Sequence, residues 1–269
     1  MHPYQYVNQN PILFWDPDGM KEAETKVVII GADTNKGRDH RHSRGTKNFR
    51  RAAENILSGT TSEHFKKDFD VKNDKLLVFM PIGSSKNMKR ELRNNARELA
   101  KFLNHHGYEN FEIRQVKNAG RLAKELSKEK NVTELWFFGH GGGRAPYFSG
   151  ENWSQLPSAS SFKINWAPNH TRKAFFYTCN SASYAKNWSA AHHALTMGTN
   201  GTTWFEDNRV EGRKSRTGSV VTGRTRLKTY EDGRYVSSRT VNDTGFMGLT
   251  WMTDSNRIEK NTDALGDDL

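Results

Sequence analysis

One histidine and one cysteine in the chain stand where hydrolytic chemistry needs them. His140 lies in the stretch LWFFGHGGG, directly after a run of apolar residues, and Cys179, the only cysteine, closes the stretch AFFYTC. Both runs are typical of buried strands in a parallel sheet, where function collects at the carboxyl ends. A thiol and an imidazole that meet there form a nucleophile and its general base, because the imidazole accepts the thiol proton. The pattern therefore predicts a cysteine-hydrolase site.

The glycines around His140 suit the same chemistry. Gly141 has no Cβ, so we expect its backbone N–H to reach a developing oxyanion beside the N–H of Cys179. The stretch HGGG is also the oxyanion motif of some esterases, but those enzymes need a G-x-S-x-G nucleophile turn. The nearest stretch, TGSVVTG, does not have that spacing. The sequence thus favours a cysteine nucleophile over a serine nucleophile.

The elements that must hold this pair alternate between strand and helix. Short apolar runs predict strands at KVVIIGAD, KLLVFMPI, FEIRQV, TELWFFGH, RKAFFYTC and TTWFED. Helical spacing predicts helices at TKNFRRAAENIL, SKNMKRELRNNARELAKFLNHHGY, GRLAKELSKEK and SASYAKNWSAAHHALTMG. Such alternation with continuous apolar strands predicts an α/β fold whose mostly parallel sheet is covered by helices on both faces.

The second predicted helix has a clear apolar face and a clear end. Gly107 follows it as the expected C-cap. The apolar face is formed by Leu92, Ala96, Leu99, Phe102 and Leu103. Between TELWFFGH and RKAFFYTC, in contrast, the residues are rich in Ser, Asn, Pro and Trp, so we expect an irregular loop there.

The C-terminal part of the chain follows another pattern. RTRLKTY, EDG and RYVSSRTV predict an antiparallel β-hairpin across a short turn. We expect residues 208–260 to be a β-rich extension of a core at residues 21–207. The acidic tail, residues 261–269, is expected to be disordered.

The first twenty residues carry a motif of their own. The stretch YQYVNQNPILFWDPDGM is Tyr-rich, continues with Asn-Pro and ends in Asp-Pro-x-Gly, with Met20 where Leu is usual. It resembles the closing segment of an RHS repeat core, and Asp16 and Asp18 match the acidic positions of that motif. In RHS proteins and toxin-complex C subunits a variable toxin follows this segment and is often released by autoproteolysis. The resemblance implies that residues 21–269 are such an effector domain, with the RHS cage as its partner before release.

The histidine and cysteine strands resemble a second family, the caspase–gingipain group of cysteine peptidases, or clan CD. Its pattern is a strand that ends in His-Gly and a later strand that ends in Cys, here 39 positions apart. LWFFGHGG matches the histidine motif, and AFFYTCNSASYA with MGTNGTTW resembles the cysteine strand, its helix and the next strand, over residues 26–207. The resemblance implies a caspase-like fold with Cys179 as nucleophile, His140 as general base and Gly141 in the oxyanion hole, without cofactor or metal. The stretch TCNS departs from the Ala-Cys-Arg/Gln-Gly of caspases proper.

Three carboxylates are candidates for substrate binding. Glu206 and Asp207 lie in TTWFEDN, after the strand that follows the cysteine, and in this peptidase group that segment lines part of the first specificity pocket. A carboxylate in a closed pocket prefers a guanidinium or an ammonium group, so the hypothesis is a Lys or Arg at P1. Asp33, at the end of the first strand, is a candidate for the same face. The alternative is that these acids end their strands and face water.

Charge, cysteine count and hydropathy show which other classes of function the composition excludes and which it leaves open. The 269 residues carry a net charge of +11 with a mean hydropathy of -0.86, which leaves a nucleic-acid partner or an anionic substrate open. A single cysteine excludes an intrachain disulfide and a cysteine-rich zinc site. No apolar run reaches the roughly 18 residues that a membrane span needs. The N-terminus does not have the pattern of a conventional secretory signal.

Other functions stay open as alternatives. A nuclease could use the histidines of RDHRHSRG, NHHG or AHHA, but none of these has metal-ligand spacing with nearby acids. An ADP-ribosyltransferase would need a late E-x-E or Q-x-E pair, and TYEDGR supplies two acids without that spacing. A non-enzymatic binding module is the last alternative.

These patterns together predict a bacterial effector. We expect it to leave its cell by a specialised secretion system and to cleave a protein substrate in the cytoplasm of the target cell. An immunity protein is a further expected partner if the target is bacterial.

Overall fold

A mostly parallel sheet of eight strands, with four α-helices among the described residues, is the framework of the chain. This computed structural model describes residues 23–32, 45–58, 69–142, 145–149, 154–201, 203–210, 213–222 and 225–241, and for residues 45, 203–210, 213–222, 225 and 239–241 it describes the backbone alone. The strands are β1 (Thr25–Ile30), β2 (Lys75–Pro81), β3 (Phe111–Val116), β4 (Val132–Phe138), β5 (His140–Gly142), β6 (Ala145–Ser149), β7 (Ser154–Gln155), β8 (Lys173–Tyr177), β9 (Leu195–Asn200), β10 (Thr203–Val210), β11 (Arg213–Thr222), β12 (Thr225–Glu231) and β13 (Arg234–Val241). The helices are α1 (Gly45–Leu57), α2 (Lys86–His105), α3 (Ala119–Leu126) and α4 (Ala182–His192).

The main sheet has a doubly wound order. Its strands lie in the order β13-β12-β9-β8-β4-β1-β2-β3. The six strands from β9 to β3 run parallel, whereas β12 runs antiparallel to both β9 and β13. The chain winds from β1 outward to β3 and then returns to β4 on the other side of β1. The direction of winding thus reverses between β1 and β4, where such sheets place ligands at the carboxyl ends of their strands.

Alternate residues of the central strands face opposite layers, because side chains alternate along a strand. In β1, Val28 and Ile30 belong to a buried cluster with residues of α1 and α2. Val27 and Ile29 belong to a second cluster with residues of α3 and α4. The predicted α/β fold, with a mostly parallel sheet and helices on both faces, is confirmed.

Helix α2 follows the sequence prediction closely. Ser85 accepts a hydrogen bond from the N–H of Met88 at 3.2 Å and caps its start. Gly107 follows its end with a φ of 78°, a left-handed conformation that glycine adopts without steric cost. Neither α2, with its 20 residues, nor any other described helix is long and apolar enough to cross a membrane. The predicted apolar face is buried or partly buried at Leu92, Ala96, Leu99, Phe102 and Leu103.

The helix before β9 is shorter than its sequence pattern predicts. The prediction extended α4 over ALTMG, but α4 is Ala182–His192 and Leu195–Asn200 is strand β9. His193 takes a left-handed φ of 49°, which ends the helix. Gly198 then lies so close to Ser181 that a Cβ would be 2.6 Å from the Ser181 carbonyl oxygen. The strand is held between β8 and β12, and this long-range pairing overrides the local helical pattern.

The segment after β4 is more regular than the predicted irregular loop. Strands β5, β6 and β7 form a three-stranded antiparallel sheet. Beyond the end of β1, the N–H of Ala32 donates to the carbonyl of Phe148 in β6 at 3.1 Å. The prediction of an irregular loop is therefore wrong for these strands, because backbone pairing organises a segment whose composition is that of a loop.

The stretch TTWFED contributes to a strand, but not to the main sheet. Its residues 203–207 lie in β10, which pairs with β11 in a separate two-stranded sheet beside α1. The predicted boundary between core and extension, at 207/208, falls inside β10. The RHS-like segment, residues 1–20, and the acidic tail, residues 261–269, lie outside the described residues.

The predicted C-terminal hairpin is confirmed as β12 and β13. Glu231 pairs with Arg234, so Asp232 and Gly233 are the two turn residues, with φ of 48° and 75°. Positive φ at both positions is the geometry of a type I′ turn, which the Asp-Gly sequence favours. Through β12 the hairpin continues the main sheet beyond β9.

A buried ionic cluster lies toward the amino ends of the central strands. Lys26 is 1% exposed, and its ammonium lies 3.3 Å from the carboxylate of Glu134. The ammonium of Lys173 lies 3.7 Å from the same carboxylate, and the indole N–H of Trp136 donates to it at 3.0 Å. Because the three charged residues come from β1, β4 and β8, the cluster links the strands that lead to the site.

Candidate active site

The two strands that lead to the histidine and the cysteine are neighbours in register. Phe138, the last residue of β4, pairs with Tyr177, the last residue of the parallel strand β8. His140 and Cys179 each follow this pair by two residues. Because neighbouring parallel strands in register end side by side, both residues leave the sheet at the same edge. The structure thus brings together the residues that the sequence analysis paired.

Gly141 shows how closely the two strand ends approach. A Cβ added to Gly141 would lie 2.1 Å from the carbonyl oxygen of Cys179 and 2.9 Å from its backbone nitrogen. The same Cβ would lie 2.2 Å from the hydroxyl oxygen of Thr178. The backbone of Gly141 therefore packs directly on the backbone of the cysteine, and the contact requires a glycine.

The N–H of Gly141 points out of its own hairpin. Gly141 lies opposite Pro146 in the β5–β6 ladder, and the Pro146 carbonyl accepts a hydrogen bond from the N–H of Leu156 at 2.8 Å. The backbone carbonyl of Pro146 thus points toward β7 and away from β5. Gly141 and Pro146 therefore form a pair without hydrogen bonds between them in the β5–β6 ladder. The N–H of Gly141 is directed away from β6, as a donor to an oxyanion must be.

Cys179 lies on a sharp turn between β8 and α4. The hydroxyl of Ser181 donates to the carbonyl of Phe176 at 2.8 Å across this turn. Asn180 has a left-handed φ of 52° and donates its N–H to the carbonyl of Gly201 at 2.8 Å. Asparagine adopts this conformation at low steric cost, and the two hydrogen bonds fix the turn around it. The turn therefore presents the half-buried Cys179 on a rigid support.

His140 is half-buried and packs against α1 on one side. The ring of Phe49 meets the imidazole edge to face, with centroids 5.0 Å apart and an interplanar angle of 86°. Phe49 is itself buried, so it restricts the orientation of the imidazole without adding a charge. The backbone of His140 pairs with Tyr147. A Cβ on Gly142 would lie 2.5 Å from the Tyr147 hydroxyl, so this glycine makes room for a tyrosine ring.

Three other titratable groups have mainly packing roles. His192 is buried, which lowers its pKa, and its Nε2 lies 2.9 Å from the carbonyl oxygen of Ala159. Burial raises the pKa of the Tyr177 hydroxyl well above its usual range, so this group stays neutral. His106 packs against Phe102 with ring centroids 4.2 Å apart and an interplanar angle of 40°. The described contacts of AHHA and NHHG are thus explained by the fold, whereas RDHRHSRG lies almost wholly outside the described residues.

The role of the three predicted substrate-binding carboxylates stays a prediction. Glu206 and Asp207 lie in β10, where the backbone alone is described. Their hairpin lies beside α1, the helix whose Phe49 contacts His140. Asp33 lies outside the described residues.

Three residues of the site were not singled out by the sequence analysis. Asn180 and Ser181 had a signal, because TCNS places two turn-forming residues between a strand and a helix. Phe49 had none, since its contact with His140 joins positions 91 residues apart in the chain.

The described residues offer no candidate metal site, and the chain matches no known relative. In the part of the chain that the structure describes, no group of three or more His, Cys, Asp or Glu residues is arranged to hold a metal ion. No protein-family model, curated protein sequence or solved structure matches the chain. The geometry of the site therefore carries the functional argument.

Proposed function

We propose that the chain is a caspase-like cysteine endopeptidase, with Cys179 as nucleophile and His140 as general base. The observation that carries the proposal is the common end of β4 and β8, with Gly141 packed on the backbone of Cys179. The mostly parallel sheet, with both residues at one edge, is compatible with a caspase-like fold. The proposed reaction needs no cofactor and no metal.

In the proposed reaction, His140 takes the thiol proton and the Cys179 sulfur attacks the carbonyl carbon of the scissile peptide bond. The electron pair of the C=O bond moves onto its oxygen, which the N–H groups of Gly141 and Cys179 stabilise. The C–N bond then breaks, His140 gives its proton to the leaving amine, and a thioester remains. Water, deprotonated by His140, attacks the thioester, releases the carboxylic product and restores the thiol.

The proposal includes a biological role as a delivered toxin. Its support is the resemblance of residues 1–20 to the end of an RHS core. Residues 21–269 would be held in the cage before release and would act on a protein in the target-cell cytoplasm. An immunity protein would protect the producing cell if the target is bacterial, because that cell contains the same substrate.

The proposed substrate preference is a basic residue at P1. Its support is the pair of neighbouring carboxylates, Glu206 and Asp207, in the hairpin beside α1, with Asp33 as a further candidate. Carboxylates in a closed pocket form their strongest hydrogen bonds with guanidinium and ammonium groups.

Toxicity and protein cleavage in the target cell test the proposal. The full chain is expressed as wild type, Cys179→Ala and His140→Ala, and new protein N-termini are identified by chemical labelling and mass spectrometry. Both substitutions should abolish toxicity and the new N-termini, because losing a nucleophile or its base costs well over ~10³-fold in rate. His193→Ala is the control, since this exposed histidine pairs with Asp232 at 2.9 Å on the C-terminal hairpin turn.

The outcome separates the function classes. Toxicity that survives both site substitutions would refute the peptidase and favour the nuclease or the ADP-ribosyltransferase. A vinyl sulfone or chloromethyl ketone probe gives a second readout on the purified protein. If Cys179 in the folded protein does not react with either probe, the proposal fails.

A further inference from the structure

The outer face of α2 carries a stripe of cations. Five exposed side chains form this stripe and line a surface groove together with Asn87 and Asn94. At 100° per residue they occupy an arc of about 100°, opposite the buried face of the helix. At 1.5 Å per residue the stripe is about 17 Å long. The five are Lys86, Lys89, Arg90, Arg93 and Arg97.

No carboxylate among the described residues is paired with the stripe. Within the described residues, none of its five cations forms an ion pair, whereas the next cation along the helix, Lys101, pairs with Glu98 at 3.0 Å. Helix α3 shows the more usual arrangement, in which Arg121 pairs with Glu125 at 2.7 Å one turn away. Like charges three and four residues apart repel each other. The stripe therefore costs stability in the free protein.

The position of the stripe on the helix raises this cost. It starts at Lys86, the first residue of α2, and the first turn has no acidic residue. The amino end of a helix carries a partial positive charge, so cations there are unfavourable and an anion is favourable. The peptide dipoles and the five side chains thus create positive potential over the same surface.

The composition of the groove indicates the class of partner. Its lining consists of Lys, Arg and Asn, without an apolar or aromatic side chain. The centre of a protein–protein interface is usually formed by aromatic or aliphatic anchors, which this lining lacks. Lys, Arg and Asn are among the side chains that contact the phosphates of nucleic acids. One strand of a duplex has a phosphate every ~3.4 Å along its axis, so about five phosphates match the length of the stripe.

We propose that this face of α2 binds the phosphate backbone of a nucleic acid, without reading its base sequence. None of the five cations belongs to the catalytic pair or its oxyanion hole, so the inference does not depend on the peptidase. The stripe begins at the edge of the sheet that carries the site, because α2 follows the carboxyl end of β2. Near its start, Met88 and Leu92 on the buried side of α2 pack with Ala32, which follows β1.

Salt-dependent binding to labelled oligonucleotides tests the inference. Fluorescence anisotropy of the full chain with a duplex of about 20 base pairs is followed from about 50 to about 200 mM salt. The test variant is Arg90→Gln/Arg93→Gln/Arg97→Gln, which keeps good helix-forming residues on an exposed face. The control variant, Lys124→Gln/Lys163→Gln/Lys186→Gln, removes the same charge from exposed positions elsewhere.

The two variants should behave differently. Each phosphate contact contributes about 0.9 to the slope of log K against log salt, so the test variant should lower the slope by about 2.7 and the control should leave it near the wild-type value. Equal weakening by both variants would overturn the inference, since binding would then follow net charge alone. The inference would also be overturned if a labelled poly-glutamate peptide bound more tightly than the duplex and its binding depended on the same arginines. The partner would then be an acidic protein. Thermal unfolding of both variants verifies that the fold is intact.

Discussion

Gly141→Ala is the sharpest perturbation of the proposed site. The added methyl group would lie 2.1 Å from the Cys179 carbonyl oxygen and 2.2 Å from the Thr178 hydroxyl oxygen, whereas ordinary contacts begin at 3.4 Å. Relief of the first contact requires β5 and the cysteine turn to separate by about 1.3 Å, the difference between these two distances. A misplacement of about 1 Å can cost ~10²-fold in rate. We therefore expect about a hundredfold loss in reactions that use the oxyanion hole.

Two reagents make this prediction measurable before the substrate is identified. In the proposed site, a chloromethyl ketone probe reacts through a tetrahedral adduct whose oxyanion would be stabilised by the N–H of Gly141. Iodoacetamide alkylates the thiolate of Cys179 and forms no oxyanion. In Gly141→Ala the rate constant for the ketone should fall about a hundredfold, whereas the rate for iodoacetamide should change much less.

A second glycine provides the control. Gly120 lies in α3, and a Cβ there would meet only the side-chain oxygen of Asn118, at 3.6 Å. Gly120→Ala should leave both labelling rates unchanged, and it should stabilise the helix by about 0.5–1 kcal/mol. Overpacking at Gly141 should instead destabilise the fold by about 1–3 kcal/mol. Wild-type ketone labelling in Gly141→Ala would refute both the close contact and the assigned oxyanion donor.

Two further predictions concern stability. Burial lowers the pKa of His192 in the folded protein below its ordinary 6.5. Between these two pKa values the unfolded chain binds more protons than the folded chain. The stability contributed by neutral His192 is therefore full above pH 6.5 and decreases as pH falls through the folded-state pKa. His192→Gln should flatten this part of the pH dependence of the urea-unfolding free energy, and an unchanged slope would contradict the assignment. Glu134→Leu removes the carboxylate that lies 3.3 Å from the buried ammonium of Lys26 and should cost about 3–5 kcal/mol. Lys26→Met/Glu134→Leu should recover only part of this loss in thermal unfolding, because Lys173 and the Trp136 indole N–H still lose the carboxylate that they contact. A double variant as unstable as the single would count against the ion pair.

The sequence predicted the strands of the site well, because their signals are local. TELWFFGH and RKAFFYTC are continuous apolar runs, as expected for strands buried on both faces. The placement of His140 and Cys179 beyond two strand ends followed from the same runs. The two strands were expected to be neighbours, but their register did not follow from the sequence, because register depends on how distant segments pair.

The wrong predictions of secondary structure also arise because strand pairing joins distant segments of the chain. Strand β9 has the sequence LTMGTN, which continues the helical pattern of α4, and the helix stops at a left-handed histidine, a residue that carries no strong stop signal. Strand β5 is His-Gly-Gly, and its pairing with β6 cannot be derived from residues that resemble a turn. The separation of β10 from the main sheet likewise depends on its partner β11.

The charges on the outer strand β3 affect how readily several copies of the chain associate. It lies at one end of the main sheet, and an edge strand can template pairing with another chain. Glu112 and Arg114 pair with each other along β3, and Arg114 also reaches Glu129, which binds Lys75 at 2.7 Å. A second chain that added a strand here would have to displace or bury this charge network. The edge is thereby protected against the strand-to-strand association that leads to aggregation in a concentrated solution.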